Sequence, residues 1–443
     1  MNRSVHSEAG SAPDNSINEN TTGAGNSIIV VGAGLVGAVQ ALLFASAGFS
    51  VTVVEKKQLL VSDDPGNSDP GSGTTDPMHD EYNTRTVALS HRSWQLLTDS
   101  DLWPDIDFCP IQTVRVTEQG NFGSVRLDAH QLDVEALGYV ISNTGFERYL
   151  HSQLRNESLI EVIESATVVS LDNTGQTAKV TIEQSSRQRV LCADLLVAAD
   201  GTHSAVRELL GIDTKTRDYG QSAVLANVRT SRSHANIAFE RFTRDGPLAL
   251  LPINVCDETQ QGSLFSMIYT APSAQSAQLS EISDEDLLSI VQKKFGGRLG
   301  RFEQLGRRFV TELALTVSTQ QVSGRVVLVG NAMRTLHPVA GQGMNLALRD
   351  VYALVASVVS SNNIDSALTH FQKQRKRDQW WVTNQTDVLA RLFSEKPWPL
   401  RLPVSVLTGS GFLLLDIIAP LKKAFATTNM GRHVPLSKVQ NDY

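Results

Sequence analysis

The sequence has few cysteines: Cys109, Cys192 and Cys256 are the only three in 443 residues. They are odd in number and far apart, which excludes a disulfide framework and any Cys-x-x-Cys metal or redox pair. The chain also lacks a Glu-x-x-His pair, which a carboxylate-bridged di-iron hydroxylase would need on its helices. We therefore expect no metal site and a reducing, cytoplasmic location.

Long apolar runs are absent too. No stretch reaches the roughly 18 uninterrupted apolar residues of a membrane-spanning helix. The most apolar stretch, 412–426, is interrupted by Asp416, Pro420, Lys422 and Lys423. This pattern leaves two alternatives open: a terminal helix packed on the body or on a second subunit, and a peripheral contact with the inner membrane.

An excess of basic residues is missing as well, since 39 Lys and Arg stand against 46 Asp and Glu, a formal charge of −7. This balance argues against nucleic acid as a partner. Two acidic stretches carry most of the excess: residues 1–26 predict a disordered arm, and residues 62–83, rich in Asp and Pro, predict a flexible insertion. Without these stretches the charges nearly cancel, so contact with an anionic membrane remains open.

The first glycine motif lies in a complete βαβ unit. The apolar run 28–31 is followed by Gly32-x-Gly34-x-x-Gly37, a helix-like stretch and a second apolar run that ends at Glu55. Such a turn brings backbone N–H groups of a helix N-terminus to a pyrophosphate, and an acid at the end of the second strand accepts hydrogen bonds from ribose hydroxyls. The motif predicts FAD or NAD, with NADPH disfavoured at this position.

Two more motifs follow buried strands further along the chain. Asp200-Gly201 follows the apolar run 195–199, and Gly330-Asn331 follows the apolar run 326–329. Ligands of open α/β sheets bind beyond the carboxyl ends of the strands, where both motifs are expected to lie. The segment 337–345 then opens a helix, and its glycines leave backbone N–H groups open to an anion.

Together, the three motifs resemble those of the class A flavoprotein aromatic hydroxylases, whose fold is that of para-hydroxybenzoate hydroxylase. More narrowly, segments 84–90, 240–252 and 336–350 resemble the ubiquinone-biosynthesis flavin hydroxylases. The resemblance covers nearly all of 27–385 except the acidic insertion. One departure is Asn331, where the wider class has Asp; the amide can still hydrogen-bond a ribitol hydroxyl.

This resemblance implies an α/β fold: a Rossmann-like FAD-binding domain interleaved with a β-sheet substrate domain, followed by C-terminal helices. The expected divisions are 27–111, 136–212 and 317–375 for the FAD-binding domain, 112–135 and 213–316 for the substrate domain, and 376–430 for the C-terminal helical segment.

It also implies the chemistry. NAD(P)H reduces the bound FAD, O2 adds to give a C4a-hydroperoxide, and the ring of a prenylated phenol takes the distal oxygen. Backbone N–H groups of the segment Gly341, Gln342, Gly343, Met344 and Asn345 are expected to stabilise charge at flavin N1 and C2=O. The other cofactor-binding residues are expected to be Gly32, Gly34, Gly37, Glu55, Arg85, Asp200, Gly201, Gly330, Asn331 and Pro338.

A few assignments stay open at this point. Leu248, Leu250 and Pro252 are expected to form the wall over the isoalloxazine and the phenol. Arg207 either anchors the Asp200 loop or meets the nicotinamide cofactor, and His337 is expected to be a packed loop residue. The alternative functions are a sibling hydroxylase acting at another ring position or on a soluble aromatic, and a flavin-binding scaffold of a ubiquinone-biosynthesis complex.

Overall fold

The computed structural model describes residues 27–60, 83–120, 124–254, 263–338 and 341–392, together with Met430. The predicted arm and, except for Asn83, the predicted insertion lie outside these residues, as does the apolar stretch 412–426. In the described part of the chain, no helix is both long enough and apolar enough to cross a membrane.

The described strands are, in chain order, β1 (Ser27–Val31), β2 (Ser50–Val54), β3 (Thr86–Ser90), β4 (Phe108–Ile111), β5 (Thr113–Glu118), β6 (Ser124–Asp128), β7 (Gly138–Ser142), β8 (Ile160–Ile163), β9 (Ala166–Asp172), β10 (Ala178–Gln184), β11 (Arg187–Ala193), β12 (Leu195–Ala198), β13 (Thr214–Thr230), β14 (Ile237–Phe242), β15 (Pro247–Ile253), β16 (Ser263–Pro272), β17 (Phe302–Leu305), β18 (Phe309–Ser318), β19 (Val322–Ser323), β20 (Val326–Leu328) and β21 (Arg334–Thr335). The helices are α1 (Leu35–Ser46), α2 (His91–Thr98), α3 (Asn143–Asn156), α4 (Ala205–Leu209), α5 (Ser273–Glu281), α6 (Asp284–Phe295), α7 (Gln342–Val359) and α8 (Ile364–Leu392), with short 3-10 turns at His130–Leu132 and Gly330–Ala332.

A six-stranded sheet forms the centre of the first body, in the order β19-β20-β12-β1-β2-β8. Its strands β20, β12, β1, β2 and β8 run parallel, and their apolar runs are buried because both faces of the sheet are covered. Helices α1, α3, α7 and α8 pack on one face. The antiparallel sheet β9-β10-β11 packs on the other.

The second body is a mainly antiparallel sheet in the order β21-β18-β13-β16-β15-β14-β5-β6, with β17 paired to β13. Helices α5 and α6 cover one face of this sheet and bury an apolar cluster against it. On the opposite face, a second apolar cluster joins β15, β14 and β5 to the small antiparallel sheet β3-β7-β4. The substrate sheet, as we call this nine-stranded sheet, therefore has one helix-covered face and one face directed at the first body.

The predicted α/β architecture with C-terminal helices is confirmed, but one predicted boundary is wrong. The C-terminal segment was expected to begin at residue 376, whereas α8 continues without a break from Ile364 to Leu392. No Gly or Pro interrupts the chain there, and Arg375 is buried in the middle of the helix. The rest of the expected domain division remains a prediction.

Candidate flavin site and the sheet that faces it

The first glycine motif forms a tight turn between β1 and α1. Gly32 has φ +99°, and a Cβ there would lie 2.6 Å from the carbonyl oxygen of Ala199. A Cβ on Gly37 would lie only 1.9 Å from the carbonyl oxygen of Gly32. At Gly34, by contrast, no atom lies within 4 Å of an added Cβ. Gly32 and Gly37 thus serve the packing of the turn, while Gly34 leaves its outer side open to a ligand.

Glu55 holds this turn from the end of β2. One carboxylate oxygen accepts a hydrogen bond from Ala33 N at 2.6 Å, and the other accepts one from Lys57 N at 2.9 Å. Since a carboxylate has about four acceptor positions, it can still accept hydrogen bonds from a ribose.

His151 of α3 is a residue of the site that no sequence motif marks. Its Nδ1 accepts from Leu60 N at 2.9 Å, so Nε2 carries the proton and donates to Ala33 O at 2.8 Å. These hydrogen bonds fix the glycine turn from α3. His151 and Ala33 lie 118 residues apart in sequence, and no local pattern marks this histidine as a neighbour of the turn.

A second carboxylate lies near Glu55. Burial raises the pKa of Glu147 on α3, and the charge of Glu55 raises it further. A site with two neighbouring carboxylates disfavours a phosphate on the ribose. This supports FAD or NAD over NADPH at the first motif.

The second motif follows β12 at the same sheet edge. Asp200 lies beside the glycine turn, and its Oδ2 accepts a hydrogen bond from Val206 N at 3.2 Å. Its Oδ1 is buried and has no hydrogen-bond partner among the described residues. Burial raises the pKa of this carboxyl. Gly201 follows with φ +86°. A buried acceptor without a partner needs one, and a ligand hydroxyl would supply it.

Arg207 ties the second motif to the third. Its guanidinium donates to Thr202 O at 2.8 Å and to Ala332 O at 3.0 Å, and the side chain is buried. These contacts support the anchoring role over contact with a nicotinamide. Gly330, with φ +57°, ends β20 against α1, and Asn331 beside it is exposed.

The segment Gly341–Asn345, which we call the flavin loop, begins α7. Gly341 has φ +58° and provides no side-chain cap. Its N–H donates to Pro338 O at 2.9 Å. At Gly343 an added Cβ would meet nothing within 4 Å. The first turn of α7 therefore presents backbone N–H groups to open space, with no acidic residue in that turn.

The side chain of Asn345 fixes the flavin loop in place. Its Oδ1 accepts from Ser90 N and Ser93 Oγ, both at 2.7 Å, and its Nδ2 donates to Ala88 O at 3.1 Å and Gly341 O at 2.7 Å. This uses the whole hydrogen-bonding capacity of the amide. Only the backbone of Asn345 is thus available to a flavin, and Ser90 and Ser93 join the site as residues that the sequence did not reveal.

Two other predicted residues lie at the edges of the site. His337 is buried with its ring edge-on to Tyr219, 5.4 Å between centroids. Burial lowers the pKa of His337 to about 4, so the ring is neutral at pH 7. It is a packed loop residue, as expected. Arg85 lies exposed just before β3, and its contact with FAD remains a prediction.

The prediction for the wall is wrong, because its residues lie on the helix-covered face of the substrate sheet. Leu248 and Leu250 are buried in the cluster between the substrate sheet and helices α5 and α6, away from the first body. Pro252 lies on the same side of β15 because side chains alternate along a strand. Leu251 and Ile253 point the other way, into the cluster shared with β3, β4 and β7.

That second cluster reaches the flavin loop. Ala88 of β3 packs against it, and Ala88 Cβ lies 4.0 Å from the position of a Cβ on Gly341. Leu251 and Ile253 thus replace Leu248 and Leu250 as candidates for the wall. The sequence could not show which alternate side chains of β15 face the first body, because both sets of side chains are apolar.

The described residues fit FAD. The open positions at Gly34 and Gly343, the uncapped N-termini of α1 and α7, and the partnerless Oδ1 of Asp200 lie where the sheet brings the three motifs together. Among the residues that the structure describes, no group of three or more His, Cys, Asp or Glu side chains could hold a metal ion. The fold and the site define a flavoprotein of the para-hydroxybenzoate hydroxylase type.

The comparisons with known proteins give the family. The chain belongs to the FAD binding domain family, whose model matches residues 77–386. It is 30% identical over 417 residues to ubiquinone hydroxylase UbiL of Rhodospirillum rubrum, covering 91% of this chain and 89% of the relative. It is 28% identical over 389 residues to 3-demethoxyubiquinol 3-hydroxylase of Escherichia coli, covering 84% of this chain and 91% of the relative.

Solved structures support the fold. The p-nitrophenol 4-monooxygenase of Pseudomonas putida superposes with a TM-score of 0.69 at 17% identity, covering 91% of this chain and 98% of that one. A variant of Klebsiella pneumoniae HpxO in complex with FAD gives 0.67 at 14% identity, covering 92% and 98%. The predicted resemblance to the ubiquinone-biosynthesis flavin hydroxylases, the use of FAD and the class of FAD-dependent aromatic monooxygenase are confirmed.

Proposed function

We propose that this protein is an FAD-dependent NAD(P)H:O2 monooxygenase that hydroxylates the ring of a polyprenyl methoxyphenol in ubiquinone biosynthesis. The observation that carries this proposal is the apolar cluster between the substrate sheet and the small sheet β3-β7-β4, which holds the flavin loop through Ala88, in a chain whose relatives include ubiquinone hydroxylases. An apolar wall suits a prenylated aromatic ring and keeps water from the reaction.

FAD, when bound, would supply the acceptance of hydride from NAD(P)H and the transfer of one oxygen atom from O2. The protein's own contribution is positional. The turn at Gly34 and the N-terminus of α1 would bind the pyrophosphate, Glu55 would accept from the adenosine ribose, and Asp200 would accept a hydroxyl through its free Oδ1.

The flavin loop would stabilise the negative charge of the reduced flavin. Backbone N–H groups of the first turn of α7 have no side-chain cap and would donate to the flavin edge that becomes negative on reduction. Their placement depends on Asn345, which joins the loop to β3 and α2 by three hydrogen bonds and closes the loop by a fourth to Gly341 O. A rigid donor set of this kind stabilises the charge without reorganising when it appears.

A precursor profile tests the substrate. Deleting the gene and measuring quinone precursors by mass spectrometry should show loss of ubiquinone and accumulation of a prenylated phenol that lacks one hydroxyl group. Normal ubiquinone with no accumulated prenylphenol would overturn the proposal. The position of the missing hydroxyl distinguishes this function from that of a sibling hydroxylase, since each leaves a different precursor.

The purified protein tests turnover. The proposed enzyme should be yellow, should oxidise NAD(P)H faster when a prenylated phenol is present, and should release a product heavier by one oxygen atom. A protein that binds FAD but is never reduced by NAD(P)H would instead be a flavin-binding scaffold of a ubiquinone-biosynthesis complex.

We also propose a peripheral membrane contact, because a polyprenyl substrate resides in the bilayer and the stretch 412–426 combines apolar residues with Lys422 and Lys423. The full chain should co-sediment with vesicles containing anionic lipid and should do so less as salt is raised. Co-sedimentation that is unchanged after removal of the residues beyond Pro403 would contradict this contact.

A further inference from the structure

Glu240 lies on β14 of the substrate sheet, on the face directed at the first body. Its neighbour on β15 is Ala249 and its neighbour on β5 is Val116. The preceding residue, Phe239, is buried in the cluster under α5 and α6. Because side chains alternate along a strand, Glu240 points to the opposite side.

The residues around Glu240 connect it to the flavin loop. Ala238, two positions before it on β14, is buried in the cluster against which Leu251 of β15 and Ala88 of β3 pack. Ala88 O in turn accepts a hydrogen bond from Asn345 Nδ2 of the flavin loop at 3.1 Å. The face that carries Glu240 is thus the face that a substrate between the sheet and a flavin would touch.

The carboxyl of Glu240 forms no hydrogen bond or ion pair with any described residue. The adjacent Arg241 does not reach it, since that guanidinium donates to Lys294 O at 2.7 Å and Thr117 Oγ1 at 3.2 Å on the other side of the sheet. Glu240 is nevertheless partly exposed. A carboxyl that has apolar neighbours and no partner, but keeps some exposure, can still receive a proton from a molecule that reaches this face.

Electrostatics agree with this location. Burial raises the pKa of Glu240 to about 7, and no neighbouring charge adds to the shift. Titratable and charged side chains that the described residues place on this face include Glu118, further along β5, Arg229 of β13 and Cys109 of β4. Burial raises the pKa of the Cys109 thiol to about 12, so that group stays neutral.

We propose that Glu240 is a catalytic residue that accepts the hydroxyl proton of the phenol as its ring is hydroxylated; this rests on the proposed function. The phenol O–H bond breaks, a carboxyl O–H bond forms, and the negative charge moves from the carboxylate to the phenolate oxygen. No oxidation state changes in this step. The phenolate donates electron density to the ring, which makes the ring a better nucleophile toward electrophilic oxygen.

The test compares wild-type holoenzyme with Glu240→Gln, an isosteric variant that cannot accept the proton. The probe is guaiacol bearing one isoprenyl group ortho to its hydroxyl, and hydroxylated product is measured across a pH series. Wild-type product formation should rise with pH through an inflection near 7. In Glu240→Gln the rate should fall by about 100-fold or more and the inflection should disappear.

A matched control is Glu183→Gln, which removes a carboxylate from an exposed position of β10 and should leave the rate and its pH profile unchanged. Flavin content and melting temperature of each variant verify folding. Product formation by Glu240→Gln at the wild-type rate and with the wild-type pH profile would overturn the proposal.

A ground-state measurement separates this inference from the proposed function. Bound para-nitrophenol reports its own ionisation by visible difference absorbance. Beside the Glu240 carboxylate it should ionise at a pH higher by about one unit or more than in Glu240→Gln, because two negative charges repel each other. Equal midpoints would place Glu240 away from the phenol oxygen and overturn the proposal. A shifted midpoint in a protein that never hydroxylates the prenylated probe would support the place of Glu240 and overturn the function instead.

Discussion

At the scale of single residues, the raised pKa of Glu240 predicts a pH-dependent stability that is independent of catalysis. An unfolded glutamate has a pKa near 4.5, and burial raises the pKa of Glu240 to about 7 in the folded state. Between these pH values the folded protein binds the proton more tightly than the unfolded chain does. The free energy of unfolding therefore falls as the pH rises from about 4.5 to 7, because the carboxylate ionises in a buried position. Above pH 7 this amounts to roughly 3 kcal/mol.

Glu240→Gln should therefore be more stable than the wild type at pH 8, by up to about 3 kcal/mol, and nearly equal to it at pH 4.5. Urea unfolding at the two pH values measures the difference. Glu183→Gln should show no such pH-dependent gain. A variant less stable than the wild type at pH 8 would mean that the carboxylate has a stabilising partner in the folded protein.

The hydrogen bonds of the Asn345 amide lead to a second prediction at the residue scale. Asn345→Asp keeps the shape but loses the two hydrogen bonds that the amide donates to Ala88 O and Gly341 O, and it places a carboxylate against both carbonyl oxygens. We expect a loss of about 2–4 kcal/mol in the free energy of unfolding. We also expect weaker FAD binding, because the flavin loop loses its attachment to β3.

Fluorescence titration of the apoprotein with FAD measures the affinity of Asn345→Asp. Asn384→Asp is the control, since Asn384 is exposed on α8 and donates to Trp380 O in a similar way. Wild-type FAD affinity in Asn345→Asp would show that the flavin loop does not depend on this amide.

At the scale of elements, the turn between β1 and α1 separates two uses of glycine. Gly37→Ala should fail to fold or lose more than about 3 kcal/mol, because its Cβ would overlap the carbonyl oxygen of Gly32 at 1.9 Å. Gly34→Ala should keep its stability to within about 0.5 kcal/mol but bind FAD at least about tenfold more weakly, because the methyl group fills the approach of the pyrophosphate.

Melting temperature and FAD titration on the two variants give the comparison directly. The two variants should show opposite patterns: stability is lost at position 37, and FAD affinity is lost at position 34 while stability is kept. If Gly34→Ala binds FAD as well as the wild type does, the pyrophosphate does not lie over this turn.

The elements also show what a sequence can and cannot predict here. The runs that became β1, β2, β12 and β20 were predictable because strands buried on both faces are continuously apolar. The motifs after them were predictable because each glycine requirement is local. The face of β15 was not, because Leu250 and Leu251 are equally apolar and only the position of α5 and α6 decides which one is covered.

Long-range hydrogen bonds could not be predicted from the sequence, for a different reason. Asn345 accepts a hydrogen bond from Ser90 across 255 residues of sequence, and His151 donates one to Ala33 across 118. The sequence around Asn345 or His151 contains no pattern that indicates these partners. Glu240 belongs to the same category, because a single acid in an alternating strand is ordinarily a solvated side chain. Only the sheet, with its second face turned to the first body, gives that carboxyl its surroundings.

At the scale of the whole molecule, the candidate FAD site is assembled from segments that are far apart in the chain. The glycine turn, Glu55 and the Asp200 loop meet at the carboxyl edge of one parallel sheet, and the flavin loop begins α7, which packs on a face of that sheet. Asn345 adds the strand β3, which belongs to the small sheet packed against the substrate sheet. A ligand bound there contacts the native arrangement as a whole, and the unfolded chain offers no comparable site.

FAD should therefore stabilise the entire protein in proportion to the logarithm of its free concentration. At a concentration 100 times the dissociation constant the gain should be about 2.7 kcal/mol, and at 1,000 times about 4.1 kcal/mol. Thermal unfolding of the apoprotein over a series of FAD concentrations, followed by far-UV circular dichroism and flavin fluorescence together, measures this. Both signals should move upward together, because Asn345 couples the two bodies through β3. A circular dichroism transition that ignores FAD while flavin release shifts would mean that part of the fold unfolds independently of the flavin site.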